Sequence, residues 1–320
     1  MKMRSSSMNF RRFINITAAA ALCAAACYGL APGEKQGVPE DEIWLIVRGD
    51  DIGFAHGANM GFEQVFNNGI ISAAEIMVPP SWFNEGVRIM KEHRGIEAGV
   101  HITLNSEWME YRWRPVAMHR PGTKLVDSDG YLYHRTDSNA EMAKLYGSDY
   151  SFLGANIDLA DIETEIRAQI ERAVEKLPRI NHLSCHMETA MASSELKKLT
   201  GNLAREYGLI PCWEISEAAR SISLWSVPVE DKTDSLAACL QKMEPGNLYY
   251  LVLHPGVDTP EMQAINSPAY DADKYMSKHR AAVTAALVSE QVQEIIKKRN
   301  IRIVTHKDVM EAGLMGDSSI

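Results

Sequence analysis

Short apolar runs alternate with amphipathic segments along most of the chain. A continuous apolar run is typical of a strand buried on both faces, whereas apolar positions three or four residues apart predict helices. The pattern predicts strands near residues 43–48, 70–78, 97–104, 181–186, 209–214, 248–254 and 301–306, and helices near residues 59–68, 81–93, 158–176, 193–207 and 274–299. Such alternation predicts an α/β fold, a TIM-like (β/α) barrel of about seven strands.

The stretch between the third and fourth predicted strands is much longer than the other connections. Residues 105–156 carry no continuous strand–helix alternation. Loops of this length in compact domains are commonly functional. We therefore expect a long insertion after the third strand that covers part of the site.

Side chains suited to acid–base or metal chemistry lie at the ends of four apolar runs. Asp50 and Asp51 follow the first run, His101 lies in the third, His186 ends the fourth and His254 ends the sixth. The carboxyl ends of barrel strands meet at one face, where active sites are built. Two carboxylates with several histidines at that face are the groups that metal-assisted hydrolysis requires.

Asp50 and Asp51 form the sharpest of these features. Adjacent carboxylates repel each other, and a buried strand end does not tolerate them without a partner. A divalent cation that binds one carboxylate relieves the repulsion and leaves the other free to act as a general base. Because successive side chains of a strand diverge, we expect the two carboxylates to point apart. The alternative is a helix N-cap, in which an aspartate accepts hydrogen bonds from free backbone amides.

The histidines differ in how well their positions fit one shared site. His182 and His186 are four residues apart, which on a strand separates them by about 13 Å. His186 is nearer the strand end and is the better candidate ligand, whereas His182 is a candidate structural residue. A lone histidine such as His101 is commonly a core residue with its polar atoms satisfied. His254 precedes Pro255-Gly256, which ends its strand and leaves the imidazole at the rim.

Five short motifs occur in a characteristic order. They are Asp50-Asp51-Ile-Gly, Met77-Val-Pro-Pro-Ser-Trp-Phe, His101-Ile-Thr-Leu, His182-Leu-Ser-Cys-His186-Met and Leu253-His-Pro-Gly. Their order and spacing resemble the YdjC-like (ChbG-like) carbohydrate deacetylase family. Arg280 and the segment Ile301-Arg-Ile-Val-Thr-His306-Lys-Asp308-Val also look like that family. Residues 43–315 are therefore expected to form one YdjC-like deacetylase domain.

The resemblance implies a function and a division of roles. The family consists of (β/α)-barrel hydrolases that use a divalent metal to remove N-acetyl groups from sugars such as chitooligosaccharides. By position, Asp51, His101 and His186 would hold one divalent ion, magnesium or zinc. Asp50 would be the base that activates water, and His254 would protonate the leaving amine.

Other residues bear on substrate recognition. We name Trp108 and Trp113 of the insertion, together with Arg280, as candidate substrate contacts. Aromatic faces suit sugar rings, but they suit packing of the insertion onto the barrel equally well. Ser184 departs from the family, whose members often carry aspartate at this position, and a carboxylate outside the ligands tunes metal affinity.

The composition limits the classes of molecule that the protein is expected to bind. The net charge of −9 and the lack of a clustered basic face argue against nucleic acid. A small carbohydrate is the expected partner, and no feature of the sequence indicates an oligomeric state. Cys185, Cys212 and Cys239 are odd in number and widely spaced, which argues against a disulfide framework and against a Cys-x-x-Cys zinc site. Cys185 is interpreted as a buried structural thiol.

The N-terminus resembles a secretory signal. In residues 1–27, four basic residues precede a short, alanine-rich apolar run, which is too short for a convincing transmembrane span. We expect export to the periplasm or the outside of the cell, with residues 28–42 as a linker. A lipid-modified Cys27 that attaches the protein to a membrane is the alternative, although Ala24 stands where lipoprotein signals usually carry leucine.

Together these features predict an exported, metal-dependent carbohydrate deacetylase. One alternative is a metal-dependent hydrolase of a non-sugar amide or ester. Another is a surface carbohydrate-binding protein that retains the fold and has lost turnover. Release of acetate from an N-acetylated sugar distinguishes an enzyme from a binder.

Overall fold

The computed structural model describes residues 37–137, 139–268 and 276–315. The predicted signal (residues 1–27) and most of the predicted linker lie outside the described residues. Within the described ranges, no helix is both long enough and apolar enough to cross a membrane.

Eight strands and eleven α-helices alternate along the described chain. The strands are β1 (Ile43–Ile52), β2 (Ala73–Ile76), β3 (Glu97–Ile102), β4 (Ile180–Cys185), β5 (Ile210–Pro211), β6 (Arg220–Ile222), β7 (Asn247–Leu253) and β8 (Ile301–Ile303). The helices are α1 (His56–Asn68), α2 (Phe83–Glu92), α3 (Ala140–Tyr146), α4 (Leu159–Lys176), α5 (Ser194–Glu206), α6 (Cys212–Ser216), α7 (Lys232–Gln241), α8 (Pro260–Ala264), α9 (Met276–Val288), α10 (Glu290–Lys298) and α11 (His306–Glu311).

The strands form one parallel sheet in the order β5-β4-β3-β2-β1-β7-β6. Strand β8 pairs with the first residues of β1, and β7 also pairs with β1. The sheet curls into a partial barrel with helices packed outside it. The predicted α/β barrel-like fold of about seven strands is confirmed, with the insertion after the third strand.

Several element boundaries differ from the expectation. The single helix predicted near residues 274–299 is two helices, because Ser289 between α9 and α10 has an extended backbone. The strand predicted at residues 209–214 ends at Pro211, whose extended backbone caps α6. Strand β1 continues beyond its apolar run to Ile52 and thus includes both aspartates.

The insertion packs on the end of β1 and contributes to the core. Trp108 and Trp113 are only 2% and 4% exposed, and both rings lie within about 6 Å of the Phe54 ring. The Tyr111 hydroxyl donates to the Phe54 carbonyl at 2.6 Å, and the Trp113 indole N–H donates to the Asn105 carbonyl at 2.7 Å. These contacts hold the insertion against the carboxyl ends of the strands.

Candidate metal and acid–base site

The two adjacent aspartates lie where β1 loses its regular pairing with β2. The pairing register shifts between Asp50 and Ile52, and Asp51 adopts a left-handed backbone with φ of 78°. His101 Nε2 is 3.4 Å from Asp51 Oδ1 and 3.9 Å from Asp50 Oδ2. The expectation that strand alternation would separate the two carboxylates is wrong, because the irregularity turns both toward His101.

The helix that follows β1 does not use these aspartates as a cap. Helix α1 begins at His56, its N-cap is Ala55, and it has no side-chain capping hydrogen bond. The N-cap alternative for Asp50 and Asp51 is therefore wrong. Their burial requires another source of compensation.

Asp51, His101 and His186 converge from the ends of β1, β3 and β4. Asp51 Oδ1 is 3.4 Å from His101 Nε2 and 3.3 Å from His186 Nδ1. One ligand atom of each residue lies within 4.8 Å of the other two, and all three residues are buried. Asp51 Oδ1 has no hydrogen-bond partner among the described residues. The structure thus brings together the three predicted ligands around an unsatisfied acceptor.

A serine and a glutamate orient the His101 ring. The Ser184 hydroxyl donates to Glu75 Oε2 at 2.8 Å and lies 2.6 Å from His101 Nδ1. Because its only proton goes to Glu75, Ser184 accepts from the N–H at Nδ1 and leaves the Nε2 lone pair facing Asp51. Ser184 thus connects His101 to a carboxylate supplied by β2.

Glu107 of the insertion orients the His186 ring. Its Oε2 lies 3.1 Å from His186 Nε2, so Nδ1 faces Asp51. Burial alone would lower the pKa of His186, but the charges of Glu107 and Asp51 outweigh it and raise the pKa to about 10. Without a cation the ring therefore carries a proton that a metal would displace.

Arg280 of α9 holds the second oxygen of Asp51. Its Nη2 donates to Asp51 Oδ2 at 2.5 Å, and its guanidinium lies over the Phe54 ring. Burial opposes ionisation of Asp51, but the charges of Arg280 and His186 hold its pKa well below the usual range. Arg280 Nη1 is buried without a hydrogen-bond partner among the described residues.

Arg48 fixes the Asp50 carboxylate. Its Nε and Nη2 each donate at 2.7 Å to one oxygen of Asp50, and its Nη1 donates to the Tyr250 hydroxyl at 3.0 Å. This two-pronged pairing sets the orientation of the carboxylate. Each oxygen keeps a further lone pair, so Asp50 can still accept a proton or a hydrogen bond.

His254 follows β7 at the same rim. Burial lowers the pKa of His254 to about 4; the Asp51 charge opposes this change and the Arg280 charge adds to it. The ring packs edge-on against Trp225, with 5.8 Å between centroids, and Trp225 is 65% exposed. An exposed indole thus flanks the predicted acid.

Sequence reasoning missed four residues of this region: Arg48, Glu75, Glu107 and Trp225. Glu75 had a detectable signal, since it is the single charge within a short apolar run. Glu107 and Trp225 lie in irregular segments, where spacing carries no directional information. Trp108 and Trp113 are nearly buried in this structure, so their direct contact with a substrate stays a prediction.

A partial parallel barrel with an Asp–His–His group and acid–base residues at its strand ends defines this protein as an α/β barrel with a hydrolase-type site. Residues 44–298 match the YdjC-like protein family, and the chain belongs to this family.

Individual relatives agree with this assignment. A carbohydrate deacetylase of Thermus thermophilus is 27% identical over 259 residues, which cover 73% of this chain and 86% of the relative. A carbohydrate deacetylase of Brevibacillus brevis is 22% identical over 279 residues, which cover 83% and 99%. A crystal structure from Enterococcus faecalis V583, named as a candidate cellobiose-phosphate cleavage protein, has the same fold. Its TM-score is 0.61 at 18% identity, and the match covers 84% of this chain and 99% of that one.

Proposed function

We propose that this protein is a metal-dependent hydrolase that removes N-acetyl groups from a carbohydrate of the chitooligosaccharide type. The observation that carries the proposal is the meeting of Asp51 Oδ1, His101 Nε2 and His186 Nδ1, with Asp50 beside them. The relatives named carbohydrate deacetylases support a sugar amide as the substrate.

The donor set fits one divalent ion. A carboxylate oxygen and two imidazole nitrogens suit zinc, and an oxygen-rich completion by water would suit magnesium. Both rings turn one nitrogen toward the unsatisfied Asp51 Oδ1, and each is oriented through its other nitrogen, as metal-binding histidines are. When bound, the ion would polarise the acetyl carbonyl and make the attacking water more acidic.

The chain supplies the acid–base groups. Asp50, held by Arg48, would accept the proton of the attacking water. His254 would protonate the departing nitrogen. Because its pKa is lowered to about 4, His254 is neutral at neutral pH, so the proton that Asp50 takes from the water would have to pass to His254, and from there to the nitrogen, before the amine departs.

Arg280 has two assignable functions in this scheme. Through Nη2 it positions Asp51 so that one carboxylate oxygen remains for the metal. Its unpartnered Nη1 is a buried donor that could bind an oxygen of the substrate. This second function retains Arg280 as a predicted substrate contact.

We also propose that the protein is exported. The basic, then apolar order of residues 1–27 supports a cleaved signal, and a lipidated Cys27 is the alternative. Mass spectrometry of the native protein should find no peptide N-terminal to about residue 26. Recovery of the intact N-terminus from cytosol would contradict export.

Acetate release is the direct test of the activity. The full chain is treated with a chelator, reloaded with zinc or magnesium, and incubated with N-acetylglucosamine and its β-1,4 oligomers. We expect acetate release that depends on the added metal and disappears in Asp51→Asn. Binding of the sugars without acetate would favour the carbohydrate-binding alternative. Turnover confined to non-sugar amides or esters would favour the second alternative, a metal-dependent hydrolase of a non-sugar substrate.

A further inference from the structure

A second group of metal-type donors lies inside the barrel. Glu75, His182, Cys212 and His306 each offer one ligand atom, and these atoms all lie within 4.8 Å of one another. None of the four residues is more than 2% exposed. Barrel interiors are ordinarily filled with branched apolar side chains. Four polar groups converging there require a physical explanation.

Both imidazoles of this interior group are oriented by polar groups on their far side. Glu97 Oε2 lies 2.8 Å from His306 Nδ1, which makes Nδ1 the donor and directs the Nε2 lone pair inward. Asn181 donates through Nδ2 to Glu97, so its oxygen accepts from His182 Nδ1 at 2.7 Å. Metal-binding histidines are held in this way, with the second nitrogen donating to an acceptor outside the ligands.

His182 is the member of the group that lacks a satisfactory partner. Its Nε2 lies 2.5 Å from Glu75 Oε1 but makes no hydrogen bond of acceptable geometry among the described residues. With Nδ1 as the donor, the neutral form of the ring would turn a lone pair toward this carboxylate, which is repulsive, so the contact requires either a second proton on Nε2 or a metal cation. A cation between Nε2 and Oε1 converts that repulsion into two attractive contacts.

Two distances from Cys212 to other members of the group are close to those of a zinc site. Cys212 Sγ is 3.6 Å from His306 Nε2 and 3.8 Å from Glu75 Oε1. Tetrahedral zinc, with bonds of about 2.0–2.3 Å, separates its ligands by roughly 3.3–3.7 Å. The pair of His182 and Glu75 would have to separate, and the stacked rings of His182 and His306, whose centroids are 4.1 Å apart, would have to open. The hydroxyl hydrogen of Tyr250, which His306 Nε2 accepts at 2.8 Å, would have to rotate away.

Gly99 of β3 provides the space beside the group. A Cβ at this position would overlap Glu75 Oε2 and His182 Nε2. Any larger residue would push the two ligands out of place. A glycine in the middle of a buried strand weakens that strand, so it commonly marks a close approach of another group.

Charge balance favours a divalent ion that binds a thiolate. One Zn²⁺, one thiolate and one carboxylate sum to zero when both imidazoles are neutral. Cys212 is buried, so a thiolate at this position requires an adjacent cation. The neighbouring cation Arg48 is already paired with Asp50. The Glu97 charge, outside the histidines, is accommodated by the backbone N–H groups of His306 and Lys307.

We propose that Glu75, His182, Cys212 and His306 form a second, structural zinc site in the barrel interior, separate from the site at the strand ends. Glu75 belongs to both regions. Its Oε1 faces the interior group, and its Oε2 accepts from Ser184, which orients His101. An ion in the interior would therefore also fix the orientation of an outer ligand. Binding displaces the Cys212 proton to solvent.

Zinc stoichiometry of the full chain tests the proposal. After loading with zinc and removal of weakly bound metal, elemental analysis should find about two equivalents in the wild type and about one in Asp51→Asn/His101→Gln. Cys212→Ser should lose one equivalent, whereas Cys239→Ser, which changes a thiol outside the group, should lose none. Gly99→Ala should resemble Cys212→Ser.

Cobalt substitution of the wild-type protein detects the thiolate ligand directly, so this test does not depend on whether a Cys212 variant folds. Thiolate-bound Co²⁺ gives a sulfur-to-metal charge-transfer band in the near ultraviolet, and the outer site contains no sulfur. We expect the band in the wild type and in Asp51→Asn/His101→Gln. A cobalt-loaded wild type without this band, or zinc binding of a single equivalent that Asp51→Asn/His101→Gln abolishes, would overturn the interior site. Either result would leave the proposed deacetylase activity intact.

Discussion

The barrel contains two groups of histidine and carboxylate side chains that share their orienting chemistry and differ in their surroundings. In both groups two imidazoles turn one nitrogen toward a common point and are held through the other nitrogen. The outer group adds Asp50, Arg280 and His254 at a rim flanked by the exposed Trp225. The ligand-type residues of both groups are buried, but the interior group contains a thiol and lies within the barrel rather than at its rim. We therefore expect the same residue types to support a reaction only where acid–base groups and access for a substrate accompany them.

The largest expected loss of activity follows from a substitution in the outer group, Asp51→Asn, which leaves the interior group unchanged. Asp51→Asn removes the carboxylate charge that faces both His101 and His186, so we expect loss of the outer metal and of essentially all acetate release. Loss of more than about 10⁴-fold in rate is consistent with removing both metal and proton chemistry. The exposed Asp41→Asn is the matched control. Retention of activity in Asp51→Asn would exclude the outer group as the active site.

Asp50→Asn should dissociate catalysis from metal binding. The amide cannot take a proton from water, so we expect the metal content to stay normal while the rate falls by about 10²–10⁴-fold. Circular dichroism must accompany the kinetics, because the variant leaves the buried Arg48 without its charged partner. A folded Asp50→Asn protein with near-normal turnover would show that another group acts as the base.

The overall fold and the approach of Asp51, His101 and His186 to one another could be predicted from the sequence because both depend on repeating features. Buried parallel strands appear as apolar runs, and their carboxyl ends meet at one face. His101 and His186 follow from that rule. The mutual approach of Asp50 and Asp51 does not, because it depends on the left-handed backbone of Asp51. That conformation is uncommon for aspartate and leaves no trace in the spacing.

The interior group could not be predicted for a related reason. His182 and Glu75 face the barrel axis from different strands, and His306 and Cys212 each begin a helix that follows a strand. The strand predicted near residues 209–214 continues past Cys212. In such a strand, alternation alone would decide which face of the sheet carries the Cys212 thiol. Its actual position depends on the strand ending at Pro211. Which side chains meet in such a cluster depends on the pairing register between strands that are distant in the chain. A single sequence carries no direct signal of that register.

His254→Ala should impair only the protonation of the leaving amine. We expect normal metal content and a loss of about 10²-fold on a plain N-acetyl sugar, since protonation of the amine is a general-acid step. An activated ester or anilide, whose leaving group needs no proton, should be cleaved at near the wild-type rate. Equal losses on both kinds of substrate would show that His254 acts in positioning rather than as the acid.

Glu107→Gln tests whether the insertion belongs to the metal site. The amide preserves size but removes the charge that His186 Nε2 faces at 3.1 Å. Loss of such an outer partner typically weakens metal binding by about 10–100-fold. Titration of the metal-free protein with zinc should show this weakening in the outer equivalent, while the interior equivalent stays unchanged. Equal weakening of both equivalents would indicate a general loss of structure.

The smallest expected effect is a change in KM on substitution of Trp225. This residue lies at the rim beside the outer group, and the interior group has no such rim. The Trp225 indole is 65% exposed and packs edge-on against His254, which places an exposed aromatic face beside the predicted acid. If a sugar ring packs on that face, Trp225→Ala should raise KM by less than about tenfold, because one aromatic contact contributes about 1 kcal/mol. The value of kcat should remain unchanged, since the contact would be equally strong in the ground and transition states. The fully exposed Met118→Ala, in the insertion, is the control for loss of an apolar surface side chain. A fall in kcat with unchanged KM would instead show that Trp225 acts through His254, as a positioning residue.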